Sequence, residues 1–115
     1  MTAAAGTGIG FATARRCAEE GARVMLSDLH ARRLSSCADA LEDALGRPVP
    51  REICDVRSND AVEALLAAAD ERLGGLDVLV NNAGLGATVD VVDTSDEQWD
   101  RILDTNLSGT FRCLR

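Results

Sequence analysis

Apolar positions along this chain fall into blocks whose spacing alternates between helical and strand-like, with glycines marking the changes. Residues Met1 to Gly10 are small and glycine-rich, and they lead into Ile9 to Gly21, where apolar positions recur at helical spacing up to a glycine suited to a left-handed cap. Arg23-Val-Met-Leu-Ser-Asp28 is a short apolar run that closes on an acid, the pattern of a buried strand. Leu34, Cys37, Ala38, Leu41 and Leu45 mark one face of a second helix, which Gly46 and Pro48 stop. Glu52-Ile-Cys-Asp-Val56 reads as another short strand. Ser58 is placed to cap a third helix whose buried face is Val62, Leu65, Leu66, Ala69 and Leu73, and Gly74-Gly75 ends it. Leu76-Asp-Val-Leu-Val80 is the clearest strand pattern of all, continuous and bounded by glycines before it and Asn81-Asn82-Ala83-Gly84 after it. A mixed loop covers Leu85 to Thr94. Ser95 with Gln98 forms a capping box, and Trp99, Ile102, Leu103, Leu107, Phe111 and Leu114 follow at spacings of three and four.

The predicted order is loop, helix, strand, helix, strand, helix, strand, helix. Such alternation implies β-α-β crossovers and a parallel sheet with helices on both faces. A doubly wound domain opens on a buried strand before its first glycine loop, and here only Met1 stands in that place. The expectation is therefore a single partial α/β domain over residues 1–115, its first strand and its C-terminal strands missing.

Composition narrows the function classes. The net charge of −7 comes from 19 acidic against 12 basic residues, the latter spread along the chain, which disfavours a nucleic-acid partner. Apolar runs such as Leu65 to Ala69 are too short to span a bilayer, and the N-terminus has no signal pattern, so a cytoplasmic protein is expected. Cys17, Cys37, Cys54 and Cys113 lie widely spaced in apolar segments and read as buried free thiols; with one histidine, His30, and no C-x-x-C, no metal site is expected. All twelve basic residues are arginine, and there is no tyrosine. Chemistry that requires lysine or tyrosine is excluded for these residues alone.

Two features bear on ligand chemistry. Gly6-Thr7-Gly8-Ile9-Gly10, feeding a helix, supplies glycines that let a diphosphate approach backbone N–H groups at a helix N-terminus, although not in G-x-G-x-x-G spacing. Asp28, at the end of the following strand, is placed to accept hydrogen bonds from an adenosine ribose, and its charge opposes a 2′-phosphate.

Taken in order, Thr2 to Gly10 before a helix, Asp28 after a strand, Asp55-Val56 after the next, Asn81-Asn82-Ala83-Gly84 after Leu76 to Val80, and Asn106-Leu-Ser-Gly109 in the final helix resemble the short-chain dehydrogenase/reductases over essentially the whole chain. The resemblance implies a Rossmann-like doubly wound parallel sheet and NAD(P)-dependent hydride transfer between a nicotinamide cofactor and an alcohol or ketone. It implies that Gly6, Gly8, Ile9 and Gly10 line the diphosphate, and that Asp28 holds the ribose, favouring NAD over NADP. Asp55 and Val56 would contact the adenine. Asn81, Asn82, Ala83 and Gly84 would brace the sheet beneath the adenosine, and Asn106 matches the family's catalytic asparagine. The chain departs from the family pattern at Ala3 or Ala4, where a glycine is usual, in a loop one residue longer; variants of this loop occur in members acting on acyl thioesters or steroid-derived rings. The family's catalytic tyrosine, lysine and serine lie beyond the asparagine helix, so the expected product is a fragment inactive alone. The alternatives are a non-catalytic dinucleotide-binding or interaction module, and a remnant that does not fold. A small-molecule substrate is implied, and full-length members commonly form homo-oligomers.

Overall fold

The computed structural model describes residues 8–115. Ile9–Glu19 (α1), Leu26–Asp28 (β1), Ala31–Leu45 (α2), Arg51–Ile53 (β2) and Asn59–Leu73 (α3) alternate as the pattern requires. Beyond them come a 3-10 turn at Val91–Asp93, Asp96–Leu103 (α4), a π-helical turn at Asp104–Ser108, and Gly109–Leu114 (α5). The strands β1 and β2 are parallel, with Leu26 opposite Arg51, Ser27 opposite Glu52 and Asp28 opposite Ile53.

Side chains alternate across a strand, and here that alternation divides the core in two. Val24 and Leu26 pack with Ala14 and Ala18 of α1 and with Leu34, Ala38 and Leu41 of α2. Met25 joins the opposite core, with Val62, Leu65, Ala69 and Leu73 of α3 and Cys113 of α5. Helices thus cover both faces of a parallel sheet, the doubly wound arrangement expected from sequence. Among the described residues no helix is long and apolar enough to cross a membrane.

The strands correct the sequence reading. Both strands are shorter than the apolar runs that announced them, and Leu76 to Val80, the clearest strand pattern, has no regular structure, bends at Asp77 and belongs to no ladder among the described residues. A strand is defined by the neighbour it bonds to, and an apolar run specifies burial only. Leu79 does pack against the α3 core, whereas Val78 is largely exposed.

The helix ends follow the sequence closely. Gly46 and Gly74 cap α2 and α3 at φ 66° and 70°, a left-handed conformation that side chains with a Cβ seldom adopt. Ser58 Oγ accepts from Ala61 N, and Ser95 Oγ from Gln98 N, the hydroxyl half of the anticipated capping box. Removing the Ser58 hydroxyl orphans a first-turn N–H, so Ser58→Ala is expected to lower stability by about 1 kcal/mol. The measurement is a fall in urea midpoint at unchanged slope.

The final helix is interrupted. Its π turn inserts an extra residue, and the small residues Thr105, Gly109 and Cys113 become the buried face. Trp99, Leu103, Leu107, Phe111 and Leu114 form an exposed stripe instead. The cysteines are free as expected, three buried and Cys17 partly so.

Candidate functional site

The residues that follow the parallel strands meet in one place. Asp28 ends β1, Asp55 and Val56 follow β2, and Ala83 to Leu85 follow the Leu76 to Val80 segment. Together with Arg33 of α2, Arg57, Arg101 of α4 and Thr105 of the π turn they line a cavity of about 170 Å³. Carboxyl ends of parallel strands are where open α/β sheets bind ligands, because the connecting loops diverge there.

The acids are held by local geometry. Asp28 Oδ1 accepts from His30 N at 2.8 Å, and His30 is the N-cap residue of α2. Asp55 Oδ1 accepts from both the backbone N and the Nε of Arg57 at 3.0 Å, and Oδ2 accepts from Arg57 Nη2 at 2.6 Å. These side-chain hydrogen bonds hold the Asp55 carboxyl below its ordinary value against an opposing effect of burial. Because the folded value is depressed, the pair contributes stability above the unfolded aspartate value and loses it as pH falls through the folded one.

The cavity wall also contains polar groups with nothing to bond. Ser27 Oγ and Thr105 Oγ1 are buried and find no hydrogen-bond partner among the described residues. Orphaned buried hydroxyls are uncommon and costly. Burial pushes the Cys54 thiol up to about 11, so this lining sulfur is a poor nucleophile.

Of the other residues expected at a site, Gly6 lies outside the described residues. Gly8 is the N-cap of α1, a helix with no side-chain cap bond and no acid in its first turn, which leaves its positive dipole end unneutralised by its own side chains. Ile9 is exposed and Gly10 buried. Ala83 and Gly84 line the cavity, but Asn81 and Asn82 do not. Asn106 stands behind the lining: Leu85 N donates to its Oδ1 at 2.7 Å, and its Nδ2 donates to Leu85 O at 2.8 Å. Its backbone carbonyl accepts from Thr110 Oγ1 at 3.0 Å. This is more than the ordinary polar position a helix would tolerate, since it ties the π turn to the loop after Gly84. Sequence reasoning missed Arg33, Arg57, Leu85, Arg101 and Thr105, which reach the cavity only through the fold.

The family model described as enoyl-(acyl carrier protein) reductase, one of the short-chain dehydrogenase/reductase models, matches residues 3–115. The chain belongs to the short-chain dehydrogenase/reductases. It is 53% identical, over its whole length, to a (5R,7aS)-5-hydroxy-7a-methyl-1-oxo-2,3,5,6,7,7a-hexahydro-1H-indene-carboxyl-CoA reductase of Mycobacterium tuberculosis, of which it spans 44%. A crystal structure of a short-chain dehydrogenase from Mycobacterium smegmatis superimposes with a TM-score of 0.91 at 54% identity, covering 97% of this chain and 47% of that one. The actinorhodin polyketide ketoreductase, crystallised with NADPH, gives a TM-score of 0.87 at 41% identity, covering 93% of this chain and 41% of that one. The chain therefore spans less than half the length of these short-chain dehydrogenase/reductase relatives.

Proposed function

We propose that residues 1–115 are the dinucleotide-holding part of an NAD(P)-dependent oxidoreductase that moves hydride between a nicotinamide cofactor and an alcohol or ketone. The observation that carries this reading is the cavity at the carboxyl ends of the parallel strands, with two fixed carboxylates and two hydroxyls that have no partner among the described residues in its wall. Those groups suit an adenosine, which brings hydroxyl and amino donors and an apolar base.

Asp28 accepts from the ribose hydroxyls, its orientation set by the His30 N–H. Asp55 and Val56 take the edge of the adenine, while Ala83 and Gly84 pass beneath the adenosine and Asn81 and Asn82 brace the Leu76 to Val80 segment before them. Gly6, Gly8, Ile9 and Gly10 let the diphosphate approach the uncapped N-terminus of α1. Asn106 acts from the π turn, where it fixes Leu85, as the asparagine that holds a water in the proton relay. When bound, the nicotinamide supplies the hydride; the proton comes from outside these residues, which contain no tyrosine or lysine. The fragment is thus inactive alone. The carboxylate of Asp28 opposes a 2′-phosphate, which supports NAD in preference to NADP. The substrate class is a ketone or alcohol of the 3-oxoacyl or steroid type, supported by the name of the Mycobacterium tuberculosis relative, a carboxyl-CoA reductase on an indene ring system. The reading places the whole protein in the cytoplasm and takes its full-length relatives to be homo-oligomers.

The test is an NADH titration followed by nicotinamide fluorescence. Saturable binding is expected, weaker for NADPH, and weakened about fivefold by Asp28→Ala, the loss of a modest hydrogen-bonding group. Equal binding by the variant removes Asp28 from the site. Absence of any binding by the folded chain removes the cofactor reading and leaves ancestry alone.

A further inference from the structure

We infer that Arg57 is a positioning residue for base recognition: its backbone N–H and guanidinium lock the Asp55 carboxylate so that one oxygen is reserved for a 6-amino purine. The inference rests on the adenosine site proposed above and adds a residue that neither the motif nor the family resemblance supplied.

Asp55 lies in a tight turn between β2 and α3, closed by Ser58 N donating to Asp55 O at 2.9 Å. Within that turn Arg57 follows by two residues and folds back on it. Oδ1 receives the Arg57 N and Nε, both at 3.0 Å, which fills its two lone pairs. Oδ2 receives Nη2 at 2.6 Å and only a share of Nε at 3.2 Å. Oδ2 is therefore the oxygen with acceptor capacity left. A planar guanidinium that engages both oxygens also fixes the plane of the carboxylate, which a single backbone donor does not.

Charge supports the same role. The cavity holds two carboxylates and would receive an anionic dinucleotide in a chain of net charge −7. The Arg57 cation, with Arg101 acting on Asp55 from α4, neutralises the base end without occupying it. Arg57 lines the cavity and remains about one-third exposed. A base carrying a 6-amino group donates to Oδ2; a 6-oxo base presents an oxygen to a carboxylate and is rejected. Arg57 thus acts through Asp55 and touches neither the reacting atoms nor the sugar.

The experiment compares NADH with reduced nicotinamide hypoxanthine dinucleotide, in which the 6-amino group is replaced by oxygen. Binding of each to the purified intact protein is followed by nicotinamide fluorescence at neutral pH and at about pH 4.5, above the ordinary aspartate value. The wild type is expected to prefer NADH by about tenfold or more, the scale of one unsatisfied buried polar group. Arg57→Ala is expected to weaken NADH about tenfold while changing the hypoxanthine form less than about twofold, so the preference collapses. The residual NADH affinity of the variant should also fall on acidification, where the unpinned carboxyl begins to protonate and the wild type does not. Arg57→Lys, which keeps the charge but loses the fork, should recover the pH profile and not the preference; it also serves if Arg57→Ala melts early by circular dichroism. Wild-type preference and pH profile retained in both variants overturn the inference and leave the adenosine site standing. A wild type that binds both dinucleotides equally overturns it too. A folded wild type that binds neither overturns the site itself.

Discussion

Gly109→Ala is expected to lower the unfolding free energy by about 1 kcal/mol, although alanine is the better helix former. A Cβ at position 109 would stand 2.7 Å from Val56 Cγ2, 3.1 Å from Val56 Cβ and 3.4 Å from Val56 O. Two of those atoms belong to the stiff part of a β-branched residue or to the backbone, so the strain cannot be relieved by swinging a flexible side chain away. Exchanging glycine for alanine within a helix is worth about 1 kcal/mol in favour of alanine, whereas overpacking a filled contact costs about 1–3 kcal/mol, and here it sits at the junction of two elements. The contact decides the sign. Thermal unfolding followed by far-UV circular dichroism measures it. Val56→Ala, which removes the clashing methyl, should make the two changes non-additive, the double variant being more stable than the sum of the singles predicts. Simple additivity would mean that α5 moves away from Val56 instead of pressing on it.

Asn106→Asp is expected to cost about 2 kcal/mol at neutral pH and far less in acid. The wild-type amide both accepts from Leu85 N and donates to Leu85 O, a reciprocal pair that no carboxylate can reproduce. The ionised substituent keeps the first bond and sets a negative oxygen against the Leu85 carbonyl. Protonation restores a donor, so the introduced carboxyl has a folded pKa above its unfolded one. Stability is then fully present below the unfolded value and is lost as pH rises through the folded value, opposite to the trend set by Asp55. Urea unfolding across that range tests it, with Asn106→Leu as the pH-independent control. A flat difference between variant and wild type would mean that the introduced carboxyl does not face the Leu85 carbonyl and that the reciprocal pair is not what the substitution removes.

What the sequence displayed and what it concealed divides along physical lines. Ser58, Gly46 and Gly74 were legible because capping is a local matter, decided within one turn of helix. The buried faces of α2 and α3 were legible because a single periodicity generates each. Asp28, Asp55 and Val56 converge on the cavity because they stand at the carboxyl ends of two parallel strands, and Ala83 and Gly84 reach it from the segment that follows α3. Leu76 to Val80 was misread as a ladder strand because pairing depends on a neighbour that the segment does not itself encode. The π turn was also hidden: one extra residue within a helix leaves the apolar spacing of Trp99 to Leu114 apparently regular, yet turns small residues inward and bulky ones outward. Arg57 escaped notice because i to i+2 contacts arise from a turn, which has no periodic signature, and Thr105 because its burial depends on that π turn.

The outward stripe on α4 and α5 has an optical consequence. Trp99 is the chain's single tryptophan, it is 52% exposed, and there is no tyrosine. Nearly all near-ultraviolet emission therefore originates on this stripe, away from both cores. Tryptophan emission will respond weakly to loss of either core and strongly to whatever comes to lie over Leu103, Leu107 and Phe111. The chain thus separates its own signals: circular dichroism reads folding, nicotinamide emission reads the cavity, and the lone indole reads the face that the helix turns away from its interior.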